Sequence, residues 1–283
     1  LERGTNVTLV VTRTGASTSA VTVNYASANL TAFGGADYAP VSGTLNFGTN
    51  VTTQNIVVPI INDKAVEGNE TFNVTLSAPT GEASLGAQIT TTVTIVDDDS
   101  LVQFATATAS ALESQGTMSV TINRVGVIDT LITVPFGFGD VTATNGVDYL
   151  GVTNTLTFLP GVTLTNFSVP IIDNQVVQLN RSVNLTLNNA TSTSTNNVVS
   201  TNNASIGTNS AAVLTIIDND NTFSFSATDY VVSEAAGNLQ VNVLRSGQNT
   251  GVVSVVCATV PLSIANAATP GADYVAVSAT LPF

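Results

Sequence analysis

Two short stretches constrain this chain more than anything else in it: Val93-Thr94-Ile95-Val96-Asp97-Asp98-Asp99 and Leu214-Thr215-Ile216-Ile217-Asp218-Asn219-Asp220. Each opens with apolar residues alternating with Thr, the period-two pattern of a half-buried strand. Each then ends in a run of hard oxygen donors. The second follows the first by 121 positions, and a new strand pattern begins directly after each, at Ser100 and at Asn221. The chain therefore reads as a tandem array whose units close on an acidic strand end and abut with almost no linker.

Three segments align on that frame. Glu2, Glu113 and Glu234 are each followed eleven positions later by Arg13, Arg124 and Arg245, and two further on by Gly15, Gly126 and Gly247. Between them Val7, Leu9 and Val11 correspond to Met118, Val120 and Ile122 and to Leu239, Val241 and Val243, so each segment predicts a strand closed by a Gly turn. The three arginines recur where basic residues are rare, which predicts an ion pair or a carbonyl contact at each strand end.

A second landmark is Gly35-Ala36-Asp37-Tyr38, matched by Gly146-Val147-Asp148-Tyr149 and Gly271-Ala272-Asp273-Tyr274. The tyrosine rings are expected at the sandwich rim, holding the preceding Asp. Short strands follow in Ser42–Phe47, Asn154–Phe158 and Ala279–Phe283. The third landmark, Val58-Pro59-Ile60-Ile61 and Val169-Pro170-Ile171-Ile172, places a Pro at a strand end or edge.

No helical period occurs, and many short strands separated by turn residues predict an all-β antiparallel sandwich for each unit. The expected divisions are 1–99, a repeat lacking its first strand; 100–220, a repeat carrying a longer polar hairpin or surface loop at 191–203; and 221–283, a partial repeat. The chain thus reads as a piece of something longer. Trimming explains the incomplete ends; strand addition from a neighbouring chain is the alternative.

Composition narrows the chemistry. Six basic residues against 19 acidic ones, a formal net charge of −13, leave nothing to neutralise a nucleic-acid backbone. The absence of His excludes a Ser-His-Asp triad, a His general base and His-ligated zinc. With no Trp and 6% aromatic residues, a sugar cleft is hard to assemble. The single Cys257 is expected as a buried strand residue, and no apolar run is long enough to span a membrane as a helix. The Thr, Asn, Ser, Val and Gly-rich composition suits an extracellular or cell-surface protein. Ten Asn-x-Ser/Thr sequons, from Asn6 to Asn203, are of the kind such a composition produces by chance.

What remains is oxygen. Glu2, Asp37, Asp63, Glu67, Glu70, Asp97, Asp98 and Asp99 fall at strand ends and loops that a sandwich can gather at one pole. Carboxylates so gathered raise one another's pKa values or require a cation. Oxygen donors without His or Cys specify Ca²⁺. Glu67 and Glu70, three apart in one acidic loop, suit ion binding better than paired glycosidase carboxylates.

The ordered set of Glu, Gly-x-Asp-Tyr, Ser-Gly-Thr-Leu-x-Phe, Val-Pro-Ile-Ile-x-Asp and Thr-Ile-x-Asp-Asp-Asp resembles the Calx-beta domain family, over essentially the whole chain. The resemblance implies tandem immunoglobulin-like antiparallel β-sandwiches. It also implies a calcium cluster at Glu2, Asp37, Asp63, Glu67, Glu70, Asp97, Asp98 and Asp99 in the first repeat. The second repeat keeps Glu113, Asp148, Asp218 and Asp220, but has Asn174 at the Asp63 position with Asp173 one place earlier. It also has Gln178 and Arg181 at the Glu67 and Glu70 positions and Asn219 at the Asp98 position, so it is expected to bind fewer ions or bind them weakly. The third keeps only Glu234 and Asp273 and should form no site alone. The function so implied is non-enzymatic: a calcium-stabilised adhesin stalk of a large bacterial cell-surface or secreted protein, with calcium at the joints and neighbouring repeats as partners. The alternatives are a self-associating subunit of an extracellular fibre or sheath, and a calcium-sensing regulatory module.

Overall fold

The computed structural model describes residues 2, 6–193, 199–200, 203–248 and 251–283, with the side chains of 199–200 left aside. It is built of strands and two single 3₁₀ turns; among the described residues no helix is long and apolar enough to cross a membrane.

The first segment contains β1 (Asn6–Thr12), β2 (Val21–Asn29), β3 (Ser42–Phe47), β4 (Thr53–Pro59), β5 (Glu70–Thr80) and β6 (Thr90–Ile95). One sheet runs β3-β2-β5-β6 and the other is the antiparallel pair β1-β4. Alternate residues turn inward, so Val21, Val23, Leu45, Phe47, Ile56, Val58, Phe72, Val74, Val93 and Ile95 form one core between the sheets. Tyr38 joins that core rather than its rim: it is buried, stacks on Phe72 with ring centroids 4.0 Å apart, and donates its hydroxyl to Asn29 Oδ1 at 2.7 Å.

The second segment contains β7 (Ser100–Phe104), β8 (Thr108–Leu112), β9 (Thr117–Gly126), β10 (Leu131–Asp140), β11 (Asn154–Phe158), β12 (Leu164–Pro170), β13 (Arg181–Leu187), β14 (Thr191–Thr193), β15 (Val199–Ser200), β16 (Ser205–Ile206) and β17 (Ala211–Ile217). Its sheets run β12-β9-β7-β16 and β15-β14-β10-β13-β17-β8, with β11 also on β10. Two pairings, β8 with β17 and β7 with β16, are parallel. The opening strand divides between the sheets: β7 lies antiparallel to β9, and after a break at Ala105–Ala107 the chain crosses to lie along β17. Alternation along one strand reports which residues face inward but not which strand lies alongside, so sequence pattern alone does not show these parallel pairs. Pro59 and Pro170 each end a strand.

The last segment has β18 (Asn221–Phe225) paired with β19 (Val243–Gly247) and β20 (Ser254–Ala258) paired with β21 (Ser278–Pro282). None of its described residues is fully buried, and Cys257 lies half-buried on β20 rather than in a core. The strand expected from Leu239 onward forms a ladder only from Val243. Strand β4 supports β1, and β12 supports β9, but no strand among the described residues of 221–283 takes that place for β19. The same alternating pattern thus appears at three levels of burial. Met118, Val120 and Ile122 are buried between two neighbours, Val7, Leu9 and Val11 are half-buried beside one, and Leu239 and Val241 are exposed.

The recurrent arginines make carbonyl contacts of one design. Arg13 donates to Ala16 O and Ser19 O, Arg124 to Val127 O and Thr130 O, and Arg245 to Gln248 O and Gly251 O. Each guanidinium therefore ties the loop after its strand at the third and sixth residues. Arg124 alone is buried, and adds the hydroxyls of Ser100 and Thr130. Arg124→Ala strands buried carbonyls and is expected to cost about 2–4 kcal/mol, while Arg13→Ala, whose loop water reaches, costs about 1 kcal/mol or less. Urea unfolding of the two variants checks this; equal losses would contradict it.

Candidate metal centre

The Gly-x-Asp-Tyr loops are shaped alike. Gly35, Gly146 and Gly271 have φ of +98°, +84° and +82°, a left-handed conformation that disfavours a side chain, and each N–H donates to the carbonyl of the following Tyr. The Asp closes the loop: Asp37 Oδ2 accepts from Phe33 N at 2.6 Å, Asp148 Oδ2 from Thr144 N at 2.7 Å, and Asp273 Oδ2 from Thr269 N at 2.7 Å. In the third loop the bonds from the Thr269 N–H and hydroxyl hold the exposed Asp273 below the usual carboxylate range.

In the first repeat two groups of three carboxylates gather at one pole, each offering oxygens that all lie within 4.8 Å of one another: Glu2, Asp63 and Asp99, and Asp37, Glu67 and Glu70. Asp63 N donates to Glu2 Oε1 at 2.9 Å and Ala65 N to Asp63 Oδ1 at 2.7 Å, which shapes the acidic loop. Asp97 is tied on both oxygens, to Gly68 N and Asp99 N. Asp98 Oδ2 accepts from Asn203 Nδ2 at 2.7 Å. Asp99 is 0% exposed, and neither of its carboxylate oxygens has a hydrogen-bond partner. Buried polar atoms are nearly always satisfied, so an ionised Asp99 here lacks a positive partner.

The energetics agree. Burial first, then the charges of Glu2, Asp97, Asp98 and Asp63, push the Asp99 carboxyl up to about 7. Burial, then a hydrogen bond with Asp37 and the charges of Asp37, Glu67 and Glu2, push Glu70 up to about 7. Glu2 and Glu67 are raised as well, by burial first. Hard, mutually repelling oxygens with an orphaned buried pair among them fit a divalent cation of the Ca²⁺ type.

The second repeat is built on the same frame with fewer charges. Glu113, Asp218 and Asp220 form one group within 4.8 Å. Glu113 Oε1 and Asp220 Oδ2 are buried without partners. Burial first, then Asp220, which can accept a hydrogen bond from Glu113 only when Glu113 is protonated and repels it when ionised, and then the charge of Asp218, push Glu113 up to about 7. Asn174 occupies the Asp63 place: Val176 N donates to its Oδ1 at 2.7 Å, and its Nδ2 donates to Glu113 Oε2 at 3.3 Å. The turn needs only an oxygen, so Asn preserves the loop while removing a charge. Asp173 is exposed and lies outside the groups.

Where the first repeat has Asp37, Glu67 and Glu70, the second has Asp148, Gln178 and Arg181. Arg181 Nε lies 3.4 Å from Asp148 Oδ1 and donates to Gln178 Oε1 at 2.8 Å, and Nη1 donates to Thr142 O at 3.0 Å.

The expected hairpin or loop at 191–203 is only partly described, residues 194–198 and 201–202 lying outside the described set. Its two ends are not surface. Thr191–Thr193 pair with β10, and Ser192, Asn203 and the adjoining Ala204 are buried. Sequence reasoning offered no signal for Asn203, which is one more polar residue in a stretch without a period.

The raised pKa values fix a sign. A carboxyl whose folded pKa exceeds its unfolded value contributes stability that is full below the unfolded pKa and is lost as pH rises through the folded one. For Asp99, Glu70 and Glu113 that window runs from about 4 up to about 7 and beyond. The calcium-free protein is therefore expected to melt at progressively lower temperature from pH 5 to pH 8, and saturating Ca²⁺ to flatten or reverse that slope. A calcium-free melting temperature that rises over this range would contradict the cluster's electrostatics.

Comparison with known proteins agrees with the geometry. The human extracellular matrix organizing protein FRAS1 (Homo sapiens) is 30% identical over 264 residues, 87% of this chain and 6% of its own length. Sodium/calcium exchanger 1 of the dog (Canis lupus familiaris) is 31% identical over 183 residues, 61% of this chain and 19% of its own. The chain thus spans a small part of the relatives it matches. The crystal structure of CBD12 from CALX1.2 aligns at 20% identity and a TM-score of 0.38, over 76% of this chain and 94% of that one. The Calx-beta domain matches residues 1–99, 96–220 and 216–283 in turn, and the chain belongs to the Calx-beta domain family.

Proposed function

We propose that this chain is a calcium-stiffened structural segment of a larger extracellular or cell-surface polypeptide, divided after Asp99 and after Asp220. Membership of the Calx-beta family makes it a non-catalytic repeat module and supports calcium binding in general. An extracellular matrix organizing protein among its relatives supports the structural and extracellular parts of the proposal. The relatives named above are animal proteins, so a bacterial source forms no part of it. The observation that carries the proposal is Asp99, buried between Glu2 and Asp63 with both oxygens unpartnered, one residue from the next repeat.

The first repeat would hold ions at Glu2, Asp63 and Asp99 and at Asp37, Glu67 and Glu70, with Asp97 and Asp98 supporting. The second would hold one at Glu113, Asp218 and Asp220. Arg181, bridged to Asp148, supplies there a covalent positive charge in the place of another ion. An ion bound only by the folded state adds stability by linkage, and at a joint it also fixes the angle between neighbours. Asp98→Asn with Asp99→Asn is expected to lower the melting temperature in calcium and to leave it level or higher in chelator, since it also removes repulsion. Equal loss in both conditions would count against the proposal. Arg181→Glu is expected to cost about 1 kcal/mol in chelator, the bridge being partly exposed. Added calcium should recover that loss, and isothermal titration should show a further ion; a loss insensitive to calcium would contradict the stand-in role.

Strand sharing remains a second reading, favoured by one feature. Among the described strands β1 is bonded only to β4 and β6 only to β5, and a groove of about 360 Å³ opens beside them, lined by Leu9, Val11, Ile56, Val74, Leu76 and Ile89. In the second repeat β7 and β8 cover the corresponding edges, with Val102, Phe104 and Ala111 buried. A synthetic 100–112 peptide should bind this groove, and the chain should self-associate at high concentration. A monomer that ignores the peptide would rule out strand sharing.

A further inference from the structure

The joint between the first two repeats is tied by backbone hydrogen bonds on either side of the Asp99–Ser100 peptide. Val127 N donates to Asp99 O at 2.8 Å, and Ser100 N donates to Asn203 O at 3.2 Å. Gly126 is packed so closely that an added Cβ would lie 2.4 Å from Asp99 O and 2.9 Å from the methyls of Val66, inside the acidic loop. The second joint reproduces the glycine: a Cβ on Gly247 would lie 2.3 Å from Asp220 O, and Gln248 N donates to that carbonyl at 3.2 Å.

Asn203 belongs to this set but does something different. It is 4% exposed and stands at the end of the 191–203 insertion, 105 positions from the carboxylate that it bonds. Its position is set by the second repeat. The next residue, Ala204, packs in the second core, and Ser205 and Ile206 then pair with Leu101 and Val102 on β7. Its side chain nevertheless serves the first repeat, donating to Asp98 Oδ2 at 2.7 Å where Asp98 is itself 4% exposed.

An uncharged donor suits that place. A Lys or Arg would neutralise the cluster and displace a cation. An amide N–H satisfies one carboxylate oxygen, fixes the plane of the group and leaves the net charge intact. Outer-shell hydrogen bonds of this kind hold metal-binding carboxylates in their binding orientation.

We infer that Asn203 is a positioning residue for the cation centre of the first repeat, so that this centre is completed by the insertion of the second. The inference rests on the calcium reading given above for Glu2, Asp63 and Asp99. It makes the insertion a reporter of the joint: calcium at the first repeat tightens the Asp98–Asn203 bond, and a properly folded insertion raises calcium affinity.

Calcium titration of the whole chain tests it, with three variants that separate the two levels. Asp99→Asn identifies the ions of the first repeat, and Asp220→Asn those of the second. If neither variant removes any binding, the calcium reading itself fails. If they do, Asn203→Ala is expected to weaken the ions lost in Asp99→Asn by about ten- to a hundredfold. It should leave those lost in Asp220→Asn unchanged, and it should have no further effect in an Asp99→Asn background. A folded Asn203→Ala protein with wild-type affinity at the first repeat overturns the inference, as does equal weakening at both repeats. Should Asn203→Ala fail to fold, hydrogen exchange on the wild-type chain decides: Ser205 and Ile206 amides slowed by calcium support it, and unchanged exchange overturns it.

Discussion

Buried like charge is the constraint on which the rest of this molecule turns. A sandwich places its strand ends and loops at two poles, and here one pole collects Glu2, Asp63 and Asp99 beside Asp37, Glu67 and Glu70. Burial and the neighbouring charges raise the pKa values of Glu2, Glu67, Glu70 and Asp99, and Asp99 is sealed with both oxygens unpartnered. A fold carrying such a group is held back by its own electrostatics until a proton or a cation neutralises it. The surrounding loops are arranged around that problem. Backbone N–H groups of Phe33, Asp63, Gly68 and Asp99 each take one carboxylate oxygen.

The second repeat answers the same problem by substitution. Asn174 keeps the turn that Asp63 makes but drops its charge, and Arg181 brings a guanidinium against Asp148. One acidic group, Glu113 with Asp218 and Asp220, remains at the next joint. Both joints are close-packed on a glycine, Gly126 in one and Gly247 in the other, with no room for a side chain. The acidic cluster and the close-packed glycine therefore meet at the same few residues, Asp99 and Val66 among them.

Much of this was legible in the sequence because it repeats. The spacing of Glu2 to Arg13 recurs at Glu113 to Arg124 and Glu234 to Arg245, and all three arginines make the same carbonyl contacts. The all-β fold and the strand-end prolines followed from period and chemistry. What was not legible depends on neighbours in space. Parallel pairing of β8 with β17 leaves no mark on alternation within either strand. Leu239 and Val241 carry the same pattern as Met118 and Val120, yet lie exposed for want of a supporting strand. The tyrosines read as rim residues because their ring burial is set by neighbours on other strands, Phe72 on β5 and Phe138 on β10. Asp173 and Asn174 are adjacent, and only the loop's shape shows that Asn174 takes the inward place. Asn203 was invisible for the same reason, its partner lying 105 residues away.

The most direct measurement is anomalous diffraction from crystals grown in calcium. Peaks are expected among Glu2, Asp63 and Asp99, among Asp37, Glu67 and Glu70, and among Glu113, Asp218 and Asp220, with none beside Arg181. Saturating calcium with no peak at Asp99 would contradict the central claim that the buried carboxylates are held together by a cation.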